Sequence, residues 1–396
     1  MGVEGPQVLT TIECDVVVIG GGPAGLIAAR DLASRSASVL VLEEHGVVGA
    51  PVHCTGVLGL DAFHELDLPR ETILGTAESA TFVSADGSTV LIDGGHVRAA
   101  IVDRAAFDRA LARAAVAEGA VIRTGAAVRS LREDASGVTI ALPCGEIRAR
   151  TAVLACGASY RLNRALGFGL PRELAHSAQL DVAFPPLPHV EVHLGRRVAP
   201  GGFAWVVPFT RDGLPSARVG LVCTRGAGTR FREFADRLRA RAGIDRAWAA
   251  PRLKVLPLGP VERTWSRRVV AVGDAAGLVK PTTGGGIYYG LLTGRLAAEV
   301  LAEALRRDAF ADGALAEYER RWRARLGGEI RAGLAFRAVA SRLGDKAIDA
   351  LMELARVDGI VPLLKQTADF NWHGPAALSL LRSPSFRRVV FSSIWG

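Results

Sequence analysis

Residues 14–25, Cys-Asp-Val-Val-Val-Ile-Gly-Gly-Gly-Pro-Ala-Gly, decide the fold. The β-branched run from Cys14 to Ile19 reads as a buried parallel strand. It leads into Gly20, Gly22 and Gly25, spaced GxGxxG, and then into a helix-forming stretch from Leu26 to Ala33. A second strand, Ser38 to Leu42, ends at Glu43, with Glu44 beside it. Strand, glycine turn, helix, strand and an acid about 20 residues on form the full context of a dinucleotide site. Gly20 permits the tight turn, Gly22 lets a pyrophosphate approach the backbone, and Gly25 lets the helix sit close to the strand. Pro23 and Ala24 open the helix, whose N-terminus offers N–H groups and partial positive charge to phosphates. Glu43 can accept hydrogen bonds from a ribose. A glycine-rich turn without a ligand would need none of these flanks.

The rest of the chain bounds the answer. It has 396 residues, 49% of them hydrophobic, which excludes disorder and implies ~2–3 compact units. The longest apolar stretch, Val16 to Ala29, falls short of the roughly 20 residues of a spanning helix and is broken by glycines and Pro23. With no basic segment leading into an apolar core at the N-terminus, the expected setting is cytoplasmic. The net charge of +8 is carried mostly by scattered arginines, with one cluster at Glu319–Arg325. No helix-turn-helix, zinc-finger or RNP-like pattern accompanies it, so no nucleic-acid partner is expected. An anionic cofactor, an anionic substrate or a membrane surface explains the charge equally well. Five scattered cysteines without a CxxC pair, and histidines without HExxH spacing, indicate neither a disulfide framework nor a metal.

A second glycine motif narrows the cofactor. The short strand Val269–Val272 ends at Gly273-Asp274, and Pro281-Thr282-Thr283-Gly284-Gly285-Gly286-Ile287 then opens a helix reaching about Leu305. An Asp at a strand end can bind ribityl hydroxyls. A glycine-rich helix start can present N–H groups to a flavin edge that gains negative charge on reduction. Gly286, Gly290 and Gly294 give that helix one smooth face for close packing.

With GGGPAG at 20–25 and Val102-Asp103-Arg104-Ala105-Ala106-Phe107-Asp108 between them, these motifs resemble the p-hydroxybenzoate hydroxylase superfamily of FAD enzymes, in order and over residues 14–300. The resemblance implies an α/β fold. A Rossmann-like FAD-binding domain at 1–60, 101–160 and 256–310 would interleave with an antiparallel β-sheet substrate domain at 61–100 and 161–255. A C-terminal helical region at 311–396 would follow. It also implies that Arg104 contacts FAD; by itself Arg104 reads as a surface arginine at a helix start. Residues Val121–Leu154 read as a β-meander. The Asp-Gly pair usual in the superfamily's monooxygenases is absent from Ala152–Arg161.

Two further segments resemble geranylgeranyl reductases. Pro200-Gly201-Gly202-Phe203-Ala204-Trp205-Val206-Val207-Pro208 is similar to their PxxYxWxFP signature, with Phe203 for Tyr and Val207 for Phe. By composition it is ordinary sheet core; by resemblance, Phe203, Trp205 and Pro208 wall an isoprenoid or other lipid substrate. Pro51-Val52-His53-Cys54-Thr55-Gly56 is similar to a segment those proteins carry near the flavin, which makes Cys54 a candidate cofactor-tuning or proton-donating residue. His53 and Cys54 are expected to point to opposite sides of an extended segment. Tyr288 is a further candidate for the substrate wall.

The resemblance implies an enzyme that saturates isoprenoid C=C bonds with FAD as cofactor and NAD(P)H or another reductant as donor. Its rivals are an FAD monooxygenase of an aromatic or polyketide-like substrate and a non-enzymatic flavin scaffold. The apolar and arginine-rich segment from Gly359 to Phe391 would allow peripheral contact with the inner face of a membrane.

Overall fold

A computed structural model of the chain describes residues 13–93, 99–311, 313–357, 361–362, 367 and 369–395. Expectations for residues 1–12 and 94–98, and for most of 358–368, lie outside the described residues.

The valine-rich run forms the strand Glu13–Ile19, with Val16, Val17 and Val18 fully buried. Burial on both faces is what an unbroken β-branched run suits, and the strand pairs parallel with Val39–Leu42 on one side and Gly145–Leu154 on the other. The sheet runs in the order Val121–Arg123, Val39–Leu42, Glu13–Ile19, Gly145–Leu154, Val138–Leu142, Ser130–Glu133. Val269–Ala271 lies parallel to the far end of Gly145–Leu154. The meander expected over Val121–Leu154 is confined to its last three strands, which pair antiparallel. Val121–Arg123 instead follows the helix Arg104–Ala117 and joins Val39–Leu42 in parallel, as a helical crossover favours.

The two glycine motifs converge because their helices touch. Pro23–Ala33 and Ile287–Arg307 pack through Gly290 and Gly294, where a Cβ at Gly294 would stand 2.3 Å from the Ala24 carbonyl oxygen and 2.7 Å from Ile27 Cγ2.

A second sheet roofs the first, in the order Arg252–Pro257, Leu174–Ala183, Leu214–Cys223, Phe203–Arg211, Val190–His193, Ser79–Val83, Thr89–Asp93. It is antiparallel as expected, except that Val190–His193 and Ser79–Val83 run parallel. Period-two alternation divides its faces. Ala204, Val206 and Leu221 pack under the helix Ala227–Ala242 through Phe231, Phe234 and Leu238. The opposite face looks toward the nucleotide sheet. Beyond it the helices Ala316–Ala340, Asp345–Val357, Gly374–Arg382 and Pro384–Trp395 complete the chain. The basic cluster lies on the first of these and is largely self-neutralised, with Arg321 on Glu317 at 2.6 Å and Arg323 on Glu319 at 2.7 Å. Among the described residues, no helix is long and apolar enough to cross a membrane.

Substituting Gly294→Val should lower unfolding stability by about 1–3 kcal/mol, because the new side chain would collide with the Ala24 backbone and the Ile27 side chain. Chemical denaturation measures this, and an unchanged midpoint would contradict the close helix contact.

Candidate functional site

The strand ends, the two glycine segments and the roof sheet enclose a cavity of about 690 Å³. At its nucleotide end the glycines have different reasons to be glycine. A Cβ at Gly20 would lie 2.3 Å from the Ala155 carbonyl oxygen, and one at Gly25 2.1 Å from that of Gly20, so both serve the protein's own packing. A Cβ at Gly22 would meet nothing within 4 Å. Gly22 caps the helix Pro23–Ala33 without a side-chain acceptor, so open space faces a helix N-terminus, as a bound pyrophosphate requires. Glu43 lines the same end; its Oε2 accepts the Gly21 N–H at 2.7 Å and its Oε1 the His45 N–H at 2.9 Å. Four lone-pair sites on the carboxylate leave capacity for a ribose. Glu44, Pro23 and Ala24 also line the cavity, whereas Gly25 lies beneath the turn.

In the middle of the cavity Asp274 faces the second glycine segment, where a Cβ at Gly286 would lie 2.6 Å from its Oδ1. Its Oδ2 accepts from Lys254 Nζ at 3.0 Å, and this carboxylate raises the lysine above its ordinary range. Gly273, Gly284, Gly285, Gly286 and Ile287 all line the wall. Pro281 does not; it packs on Gly333 of the helix Ala316–Ala340.

Arg104 is no surface residue. Asp103 caps its helix by accepting the Ala106 N–H at 2.9 Å, and the half-buried Arg104 guanidinium grips Asp108 with two nitrogens. Burial works against its charge, but Asp108 and Cys54 beside it hold it charged. Arg104 and Lys254 are thus two cations facing the Cys54 sulfur, which also accepts the Gly56 N–H at 3.4 Å.

The far end of the cavity is apolar. Phe203 and Trp205 stand side by side with ring centroids 5.6 Å apart, continued by Val190 and Val192 on the next strand. Trp205 lies against Gly220, where a Cβ would stand 2.4 Å from the indole, and its buried Nε1 donor has no partner among the described residues. Pro208 is not part of this wall. It is an odd number of residues from both Phe203 and Trp205, so alternation turns it to the helix-covered face. Tyr288 does line the cavity, with its hydroxyl donating to Glu65 at 2.7 Å. His53 and Cys54 both line it as well, contrary to the expected opposition, because residues 51–56 form a turn-containing loop and not a strand.

Among the lining residues the sequence reading did not single out are Lys254, Phe370 and His373, and Lys280, which lies inside the second glycine motif but had no role read for it. Lys254 had a usable signal, since it alternates with Leu256 on one strand face. The other two-residue pair from the C-terminal segment, Phe370 and His373, had none, because nothing local ties 370–373 to the glycine segment.

Residues 13–327 match the family described as "FAD binding domain". Digeranylgeranylglycerophospholipid reductase 2 of Methanothermobacter thermautotrophicus is 33% identical over 392 residues, covering 93% of this chain and 98% of the relative. Digeranylgeranylglycerophospholipid reductase 1 of Methanococcoides burtonii is 29% identical, covering 91% and 94%. A geranylgeranyl bacteriochlorophyll reductase-like protein from Thermoplasma acidophilum shares the fold at a TM-score of 0.82, with 21% identity and coverage of 97% and 99%. Halogenase PltM, solved with phloroglucinol and FAD, shares it at 0.68, with 16% identity and coverage of 96% and 90%.

The open space at Gly22 yields a test that separates packing from binding. Gly22→Ala should leave the stability of the flavin-free protein within about 1 kcal/mol, a cap-sized effect, yet weaken FAD binding tenfold or more. Flavin fluorescence titration measures it, and wild-type affinity would place the phosphates elsewhere.

Proposed function

The chain belongs to the FAD-binding-domain family and, within it, to the digeranylgeranylglycerophospholipid reductases; from that premise we propose that it saturates C=C bonds of a geranylgeranyl or related isoprenoid lipid. The observation that carries this reading is that the apolar wall and the nucleotide groove belong to one cavity. Bound FAD, once reduced by NAD(P)H or another donor, supplies a hydride equivalent to one carbon of a double bond.

The chain's own residues do the rest. Gly22 and the helix N-terminus behind it receive the pyrophosphate, and Glu43 the adenosine ribose. Asp274 binds ribityl hydroxyls while Lys254 balances its charge. The backbone of Gly284–Gly286 faces the flavin edge. Cys54, between Arg104 and Lys254, tunes the charge seen from the cofactor side. Phe203, Trp205, Val190 and Val192 hold an unactivated alkene in a dry, fixed approach, which such a bond requires because it has no polar handle of its own.

The lipid must be drawn from a bilayer, and the C-terminal helices suit that contact. Phe391 is 63% exposed and Leu378 40%, with Arg387 and Arg388 exposed one turn before Phe391. These groups offer apolar insertion and cationic attraction to an anionic surface. The protein should co-float with anionic liposomes at low salt and release at high salt; no binding at low salt removes the membrane contact.

Anaerobic single turnover tests the reaction. The dithionite-reduced holoprotein, mixed with a geranylgeranyl lipid under argon, should reoxidise as the lipid gains two hydrogens per double bond by mass spectrometry. Trp205→Ala should slow this at least tenfold with FAD content unchanged. Flavin that stays reduced until air is admitted would favour a monooxygenase.

A further inference from the structure

The chain has only four lysines, at 254, 280, 346 and 365, among 48 lysines and arginines. Arginine keeps its proton at any working pH, whereas a buried lysine can release one. Two of the four lysines, Lys254 and Lys280, line the reaction cavity. Asp274 holds Lys254 charged, whereas among the described residues Lys280 makes no hydrogen bond to a carboxylate.

Lys280 is locked in place from both ends. Its backbone closes the glycine segment, the N–H donating to Gly285 at 3.0 Å and the carbonyl accepting from Gly284 at 2.8 Å. Its side chain is buried under the strap 369–374. Nζ donates to the Phe370 carbonyl and sits 4.6 Å from the centre of the Phe370 ring. The strap is itself pinned at successive residues. Asn371 Nδ2 donates to Asp61 at 2.6 Å, Trp372 packs edge-on to Tyr288, and the Gly374 N–H donates to Glu329 at 2.6 Å. His373 Nε2 lies 3.0 Å from the Phe370 carbonyl, an acceptor only, so that nitrogen carries the proton and Nδ1 accepts from Thr282 at 2.6 Å. The Phe370 carbonyl thus has both lone pairs taken, by Lys280 and His373. One carbonyl and one ring face leave the three-donor ammonium with capacity directed to the cavity it lines.

The other ionisable groups at this end are committed. The Tyr288 hydroxyl is bound to Glu65, and both His373 nitrogens are in use. Cys54 presents a sulfur that accepts hydrogen bonds. We propose that Lys280 is the catalytic acid of the reduction, delivering the proton that completes saturation at the second alkene carbon. This rests on the reductase reading above. The π bond is replaced by two C–H bonds. Two electrons and one hydrogen come from the reduced flavin, and the second hydrogen is the proton on Lys280 Nζ. The lysine is left as a neutral amine until water reprotonates it.

The electrostatics suit the task. Burial pushes Lys280 down to about 7, against the pull of Asp369, Asp61 and Glu329, while burial and Lys280 push His373 down to about 3 and keep it neutral. An acid of that strength gives up its proton readily yet is still charged near neutrality. The charged neighbours come from every element packed on it: Asp61 from the helix Asp61–Glu65, Glu329 from the helix Ala316–Ala340, and Asp369 from the strap.

Two measurements test it. Lysine-selective 13C,15N labelling of the holoprotein gives at most four side-chain signals, assigned with Lys280→Met. One should titrate near pH 7 and be missing in that variant; four signals that all titrate above pH 9 overturn the proposal. In anaerobic single turnover, Lys280→Arg keeps a cation but cannot release a proton. It should bind and accept electrons into FAD as the wild type does, with alkene-dependent reoxidation slowed 100-fold or more and KM changed little. The wild-type rate should fall as pH rises through neutrality, and Lys280→Arg should lose that limb. Lys280→Arg reacting at the wild-type rate overturns the acid role alone. A wild type that never saturates the lipid overturns the reductase reading and this step with it.

Discussion

One buried guanidinium joins the roof sheet to the body that carries the nucleotide groove. Arg218, 1% exposed, grips Asp181 with Nε at 2.7 Å and Nη2 at 3.0 Å and lies over the Phe209 ring. Its remaining nitrogen donates to the carbonyls of Thr55 and Val102. Those carbonyls belong to two separate segments of the nucleotide body, one beside Cys54 and the other two residues before Arg104. A buried cation bonded through all three nitrogens has no second low-energy position, because any displacement leaves it unpaired in a poor dielectric. Arg218 therefore fixes the roof against the segments around Thr55 and Val102, and with them the height of the cavity. Thr55 is held twice from the roof, since its hydroxyl also donates to Gln179 at 2.7 Å. Gly56 fits this junction only as glycine: its φ is +67°, and a Cβ would stand 2.9 Å from the Val102 carbonyl oxygen.

From that anchor the roof presents a graded surface. Residues directly opposite one another share a face, so the pairings trace a row across the strands. Lys254 lies opposite Ser177, Ser177 opposite Val222, and Val222 opposite Phe203. One step along, Gln179 opposes Gly220, Gly220 opposes Trp205, and Trp205 opposes Val192, which opposes Phe82. Each row begins polar and ends apolar. The edge strand Arg252–Pro257 brings its charge to Asp274, and the opposite half of the sheet lines the cavity chiefly with Phe203, Val190, Val192 and Phe82. A single sheet can therefore cover a charged nucleotide and an apolar chain without burying an unpaired charge beside the chain. Gly220 is the hinge of this arrangement, because the absent side chain is the space the Trp205 indole fills.

The sequence made the nucleotide end readable because backbone geometry there permits few residue types. Gly20 and Gly25 are demanded by carbonyl oxygens close to where their side chains would be, and Asp274 by a strand end against a glycine segment. The apolar end was half readable. Phe203 and Trp205 share a parity that a strand respects, but Pro208 entered with the same motif at the wrong parity, and spacing within a signature carries no information about faces. His53 went astray for the opposite reason: alternation was applied to a stretch that is loop. Arg218 sits in an apolar run whose pattern reads as plain strand, and its partners are 37 to 163 residues away. Contacts of that range leave no local trace.

The strap shows where chemistry departs from a shared fold. The segment matching the FAD-binding family ends at residue 327, and the same fold hosts a halogenase at a TM-score of 0.68, so the nucleotide groove alone does not select a reaction. Residues 369–374 lie beyond that segment, yet they return to the glycine helix and supply Phe370 and His373 to the cavity wall. Trp372 seats between Tyr288, Tyr289 and the Arg325 guanidinium, covering the start of the helix Ile287–Arg307. These aromatic groups cover the cavity wall beside the glycine segment, and so limit the water that can reach that side of it. On this reading the fold contributes the cofactor groove, the roof contributes the shape of the chain to be reduced, and the strap contributes the wall that holds Lys280 in place.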